Sequence, residues 1–157
     1  MPRRDRMIRE REHDSYKARK KLPDPSSCTE CKAVYHEGRW QWGRAPVDAK
    51  PVMCPACQRS RDGEPAGILT RSGDFHLEHR AEILGLIRNI EERETKAHAM
   101  KRIMGVVEHE DVVEITTSEQ GLARSIGDAI HHAYQGDLDY KYPDGGGVLR
   151  VRWSRSS

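Results

Sequence analysis

The side chains of this 157-residue chain with the clearest chemistry are its four cysteines, in Cys28-Thr29-Glu30-Cys31 and Cys54-Pro55-Ala56-Cys57, two CxxC pairs with 22 residues between them. A CxxC pair folds into a tight turn whose amides support the sulfur charge, and two such turns can set four thiolates around one tetrahedral ion. The spacing predicts a structural Zn2+ site with Cys28, Cys31, Cys54 and Cys57 as its ligands. Four protein sulfurs close the coordination shell, which leaves no position for an activated water and gives no ground for metal catalysis. Sites made of four cysteines also hold iron, so ligand type alone does not decide the metal. Disulfides belong to an oxidising compartment, and a redox CxxC wants a single motif on a strand-to-helix turn.

Nucleic-acid contact is the second chemistry the residues suggest. Residues 1 to 21 hold nine basic and four acidic side chains and carry five net positive charges, whereas the remainder carries three net negative ones. Arg3, Arg4, Arg6, Arg9, Arg11, Arg19, Lys20 and Lys21 are the candidate phosphate contacts, in an arm with too few apolar side chains to offset its own ordering entropy. The same arm reads equally as a solvated tail or as a partner for an acidic surface. Trp40 and Trp42, flanked by Arg39 and Arg44, offer a stacking platform for unpaired bases. Against that stands a plainer use, covering a metal site in a module with little else to bury. Arg150, Arg152 and Lys141 share a strand face with Asp137 and Asp139, and cross-strand ion pairing accounts for them.

Other chemistry is thin. His76 and His79 lack HExxH spacing, and the adjacent His131 and His132 cannot face one site from a helix. The Gly145-Gly146-Gly147 run has neither the Lys nor the Ser/Thr of a phosphate loop, and no nucleophile elbow or carboxylate pair is present. The sequence argues against an enzyme.

These residues need a scaffold, and its periodicities are readable. The segment 23–67, rich in Pro, Gly and Cys with short alternating runs around Glu37-Gly38, predicts a small β-rich zinc ribbon. Over 74–99, Leu77, Ala81, Leu84, Ile87 and Ile90, with Ile83 beside them, predict a bridging helix. Residues 101–154 predict a ββαββ domain. Its first hairpin runs from Ile103 to Val107 and Val112 to Thr116, and its helix has Thr117 as N-cap and Gly136 at the C-terminal end. A closing hairpin alternates Leu138, Tyr140 and Tyr142, then Leu149, Val151 and Trp153. One helix would cover the apolar face of a four-stranded sheet. The fold class expected is α+β, in the order arm (1–22), small four-cysteine zinc ribbon, helix and ββαββ domain.

Hydrophobic residues make up 36% of the chain and charged ones 33%, which predicts a small core under a heavily charged surface. No apolar run long enough to span a bilayer is present, and no apolar stretch follows the basic start, so a cytoplasmic location without membrane contact is the expectation.

The stretch from Ile115 to Ile130 (ITTSEQGLARSIGDAI), with Ala133-Tyr134-Gln135-Gly136 after it, resembles a segment of the archaeal and eukaryotic adaptor family that binds the large ribosomal subunit and, in eukaryotes, mediates its export. Those proteins also carry N-terminal CxxC zinc modules. The chain from Arg3-Arg4-Asp5 through Gly38-Arg39-Trp40-Gln41-Trp42-Gly43 to Val151-Arg152-Trp153 is similar to a bacterial family of short zinc-ribbon proteins related to that adaptor. It departs from the adaptor in having only two CxxC pairs, a far shorter chain and no transport signals. The resemblance implies zinc at the four cysteines, a structural helix from Glu119 to Tyr134 and association with ribosomal particles, and it transfers no catalytic residue. The function expected is a non-catalytic protein that binds RNA or ribosomal particles. The alternative is an interaction module that docks a protein partner through the ribbon or a sheet edge.

Overall fold

The computed structural model describes residues 22–143 and 147–157. Residues 1–21 of the basic arm, and residues 144–146 in the glycine run, lie outside the described residues. The expected α+β class is observed, as a cysteine-bearing β module followed by helices and a larger sheet.

The first module is a four-stranded sheet of short strands, β1 (Ser26–Cys28), β2 (Val34–His36), β3 (Arg39–Gln41) and β4 (Lys50–Val52), in the order β3-β2-β1-β4. The β2–β3 hairpin turns at Glu37 and Gly38, both with positive φ, the geometry of a tight two-residue connection. β4 pairs in parallel with β1, which brings the segment before Cys54 alongside Cys28. The module also contains α1 (Pro55–Asp62), a helix not expected in an all-β ribbon. Its signals are Pro at the first helical position and Gly63 in the left-handed cap.

The second sheet has five strands rather than four. β6 (Ile103–His109), β7 (Val112–Thr117), β8 (Asp137–Lys141) and β9 (Leu149–Ser154) form the two expected antiparallel hairpins. Between them lies β5 (Gly67–Ser72), giving the order β6-β7-β5-β9-β8. β5 is antiparallel to β7 and parallel to β9, so it joins the hairpins into one sheet.

One face of this sheet is covered. Leu69, Val113, Ile115, Leu149, Val151 and Trp153 point into a core closed by α4 (Gln120–Tyr134) through Leu122, Ile126 and Ile130. Gly67 and Gly127 let helix and sheet approach closely, since a Cβ at either would lie 2.7 Å from a neighbour, Ala123 Cβ and Val151 Cγ1 respectively. The predicted bridging helix is two helices, α2 (Asp74–Glu78) and α3 (Arg80–Ala97), broken at His79. On α3 the buried stripe is Ile83, Ile87 and Ile90, packed beside α4, and Ala81 is exposed. Two helices therefore share the work assigned to one. The cap of α4 also differs: Glu119 is the N-cap, and Thr117, the last residue of β7, donates its hydroxyl to the Glu119 carbonyl.

The opposite face is open. Register partners set Gly105, Thr116, Ile68, Arg150 and Lys141 in one row across it, and Val107, Glu114, Thr70, Arg152 and Asp139 in the next.

Candidate metal centre

Each CxxC pair sits on a turn that its neighbouring strands enforce. Cys28 ends β1, and the chain reverses through Lys32, whose positive φ and N–H bond to the Cys28 carbonyl tighten the first knuckle. The Cys28 sulfur accepts from the amides of Glu30 (3.4 Å) and Cys54 (3.3 Å). Cys54 is the N-cap of α1, and its sulfur accepts from the amide of Cys57 at 3.3 Å. The second knuckle is thus a helix N-terminus, whose partial positive charge favours a thiolate.

All four sulfurs lie within 4.8 Å of one another. Two opposite edges of the tetrahedron, Cys28 to Cys57 and Cys31 to Cys54, measure 3.8 Å each. A tetrahedral ion with metal–sulfur bonds of about 2.3 Å requires edges of about 3.8 Å, so the donor set fits a metal ion. It is the only cluster of potential ligands with such spacing among the described residues.

Burial opposes charge on these thiols. It pushes Cys54 and Cys57 up, against the neighbouring amide and the Arg102 guanidinium. At Cys28 burial has the same sense, but the amides around its sulfur outweigh it and bring the thiol down to about 6. A cation at the centre would offset the burial of Cys28, Cys54 and Cys57.

A residue from the second module completes the site. Arg102 donates from its terminal nitrogens to the sulfurs of Cys31 at 3.0 Å, Cys57 at 3.4 Å and Cys54 at 3.7 Å. Burial would lower its pKa, yet the hydrogen bonds to Cys31 and Cys57 raise it, so it remains a cation. Met100 packs against the same cluster. Nothing in the local sequence singled out Arg102, because its sulfur partners lie 45 to 71 residues away along the chain.

The two tryptophans are engaged within the protein. Trp40 packs on the cysteine cluster and against Tyr35. Trp42 donates its indole N–H to the Thr95 carbonyl at the end of α3 (2.8 Å), its ring faces Arg102 at 5.4 Å, and 41% of the residue remains exposed. Arg39 is exposed on β3. The arm candidates Arg3, Arg4, Arg6, Arg9, Arg11, Arg19, Lys20 and Lys21 lie outside the described residues. Lys141, Arg150 and Arg152 are exposed on the open sheet face and form no salt bridge with Asp137, Asp139 or any other described residue. The cross-strand pairs expected there do not close.

The histidines stay apart from the cysteines. His76 is buried with Nε2 2.6 Å from the Asp111 carbonyl, and His79 pairs with Glu82 and stacks on Phe75. No helix among the described residues is long and apolar enough to cross a membrane. Comparison with family models, curated proteins and solved structures finds no match, so the functional reading rests on geometry and sequence.

Proposed function

We propose that this is a non-catalytic RNA-binding protein whose ribbon is folded by a structural zinc ion. A structural metal ion is supported by the four converging sulfurs in a module whose buried cluster adds only Ala56 to Cys28 and Cys54, and zinc is the ion proposed for it. A colourless protein holding one equivalent of zinc agrees with this assignment; a coloured one holding iron refutes it.

The observation that carries RNA binding is the open face of the second sheet. Lys141 and Arg150 are direct cross-strand partners, Arg152 is two residues along and opposite Asp139, and none of the three forms a salt bridge among the described residues. Like charges directly opposite each other are unfavourable in a sheet, and a phosphodiester between them relieves the repulsion. The five net positive charges of residues 1 to 21 add a second basic element. With both tryptophan rings used inside the protein, phosphate contact supports this reading better than base stacking. The resemblance of residues 115 to 136 makes the large ribosomal subunit the first RNA to test.

The test is binding of the zinc-loaded protein to ribosomal particles and to a single-stranded RNA over a salt series, beside Lys141→Glu/Arg150→Glu and a chain lacking residues 1 to 21. Removing one phosphate-binding side chain should reduce the slope of log K against log salt by about 0.7. Binding that ignores salt and both changes would sink the proposal and favour a protein partner at the unpaired β6 or β8 edge, where Val107 is exposed.

A further inference from the structure

The ribbon meets the sheet module around its metal centre, and the sheet module's side of that contact is held rigidly. The loop 98–102 between α3 and β6 is fixed at several points. Thr95 Oγ1 donates to the Lys101 carbonyl (2.5 Å), and the Ile103 amide donates to Glu91 (3.2 Å). Ser118, buried between β7 and α4, accepts from the Arg102 amide (2.8 Å), donates its own amide to the Arg102 carbonyl (2.9 Å) and donates its hydroxyl to the Met100 carbonyl (2.6 Å). The Arg102 Nε–H is spent on the Ala99 carbonyl (2.9 Å), which fixes the plane of the guanidinium and leaves its terminal nitrogens directed at the sulfurs.

We infer that the metal centre ties the ribbon to the sheet module, with Arg102 as the positioning residue that couples metal occupancy to docking. Four thiolates around a divalent ion carry two net negative charges, fixed in place, and a guanidinium fork meets them with charge-assisted hydrogen bonds. Without the ion the two knuckles are joined chiefly through the backbone, by the β1–β4 pairing and the Cys54 amide bond to the Cys28 sulfur, and no backbone bond fixes the Cys31 sulfur beside those of Cys54 and Cys57 as one anionic group in front of Arg102. The half-buried guanidinium then loses its anionic partner, and the remaining contacts are few, chiefly the Trp42 indole bond to Thr95 and the packing of Met100. Coupling of this kind is reciprocal: the factor by which the ion strengthens docking is the factor by which docking strengthens metal binding. It holds whatever partner the protein binds.

The experiment uses the full-length metal-loaded protein. Metal affinity is measured by competition with a chromogenic chelator, and hydrogen exchange is followed before and after EDTA treatment. Arg102→Met, which keeps an unbranched stem but removes the charge and the donors, should lose about 10- to 100-fold in affinity, with Arg102→Lys in between. Chelation of the unmodified protein should speed exchange in peptides covering 98–103 and 116–119 about tenfold or more, while β5 and β9 keep their protection. Unchanged affinity in Arg102→Met, or unchanged exchange at 98–103 after chelation, overturns the coupling. Should Arg102→Met not fold, Ser118→Ala touches no sulfur, removes the hydroxyl that holds the Arg102 amide and the Met100 carbonyl, and must still weaken metal binding; affinity equal to that of the unmodified protein would overturn the coupling equally.

Discussion

The same substitution should have opposite signs at two helical glycines. Gly85 lies on the exposed side of α3, and a Cβ there meets nothing within 4 Å. Gly127 lies on the buried side of α4, where a Cβ would stand 2.7 Å from Val151 Cγ1, 3.3 Å from Leu138 Cδ1 and 3.5 Å from Leu69 Cδ1. Alanine in place of glycine gains about 1 kcal/mol in a helix interior because less backbone entropy is lost. At Gly85 that gain stands alone. At Gly127 it meets an overpacking cost of about 1–3 kcal/mol, because Val151 is fully buried and its branched Cβ allows little rotation. Gly85→Ala should therefore stabilise by up to about 1 kcal/mol, whereas Gly127→Ala should lose that gain and destabilise by up to about 2 kcal/mol. The assay is urea unfolding of the metal-loaded protein followed by circular dichroism, with melting as a second readout at about 2–4 °C per kcal/mol for a chain of this size. A Gly127→Ala protein stabilised as much as Gly85→Ala would mean that α4 can lift from the sheet at no cost, which contradicts a tightly packed helix–sheet contact at this glycine.

Two further outcomes follow from polar groups. Arg71 is almost fully buried at the end of β5, its Nε and one terminal nitrogen have no hydrogen-bond partner among the described residues, and burial lowers its pKa despite the nearby Glu108. Arg71→Met should leave urea stability unchanged or raise it by about 1–2 kcal/mol, and a loss beyond about 2 kcal/mol would show that the guanidinium has a stabilising role not visible in its contacts. On the surface, His36 bonds Asp24 at 2.8 Å, and that hydrogen bond raises the histidine pKa while lowering the aspartate's. The pair's contribution is complete between the ordinary aspartate and histidine values, and is lost as pH rises through the elevated His36 pKa or falls through the lowered Asp24 pKa. An NMR titration should place His36 above 6.5 and Asp24→Asn should bring it back down; equal midpoints in the two proteins would contradict the pairing.

What could be read from the sequence was whatever repeats locally. The cysteine pairs, the Glu37-Gly38 turn, the two hairpins and the face of α4 each declare themselves within a few residues, because a knuckle, a tight turn or a helical stripe is a short-range pattern. β5 did not. It offers only Ile68 and Leu69 as apolar residues, places Arg71 inward, and pairs with β7 and with β9 at the far end of the chain, so Thr70-Arg71-Ser72 reads as a connection. The helix break at His79 was equally hidden, since Leu77 keeps the helical spacing although it is exposed.

Arg102 shows why the site itself was only half legible. A metal ligand announces itself by type and spacing, because four sulfurs must converge and only a few loop lengths allow it. A residue that supports those sulfurs from another module is constrained by nothing nearby: Lys101, Arg102 and Ile103 look like the polar end of a helix running into a strand. What marks Arg102 is the number of groups that hold it, Ser118 at its backbone, Ala99 at its Nε and three cysteines at its tips. Arginine suits this place where lysine would not, because one planar group can use one edge to fix its own orientation and the others to span several sulfurs. An ion held by the four cysteines and the Arg102 contact that places the ribbon against the sheet would therefore act as one arrangement, and a change at either end should be felt at the other.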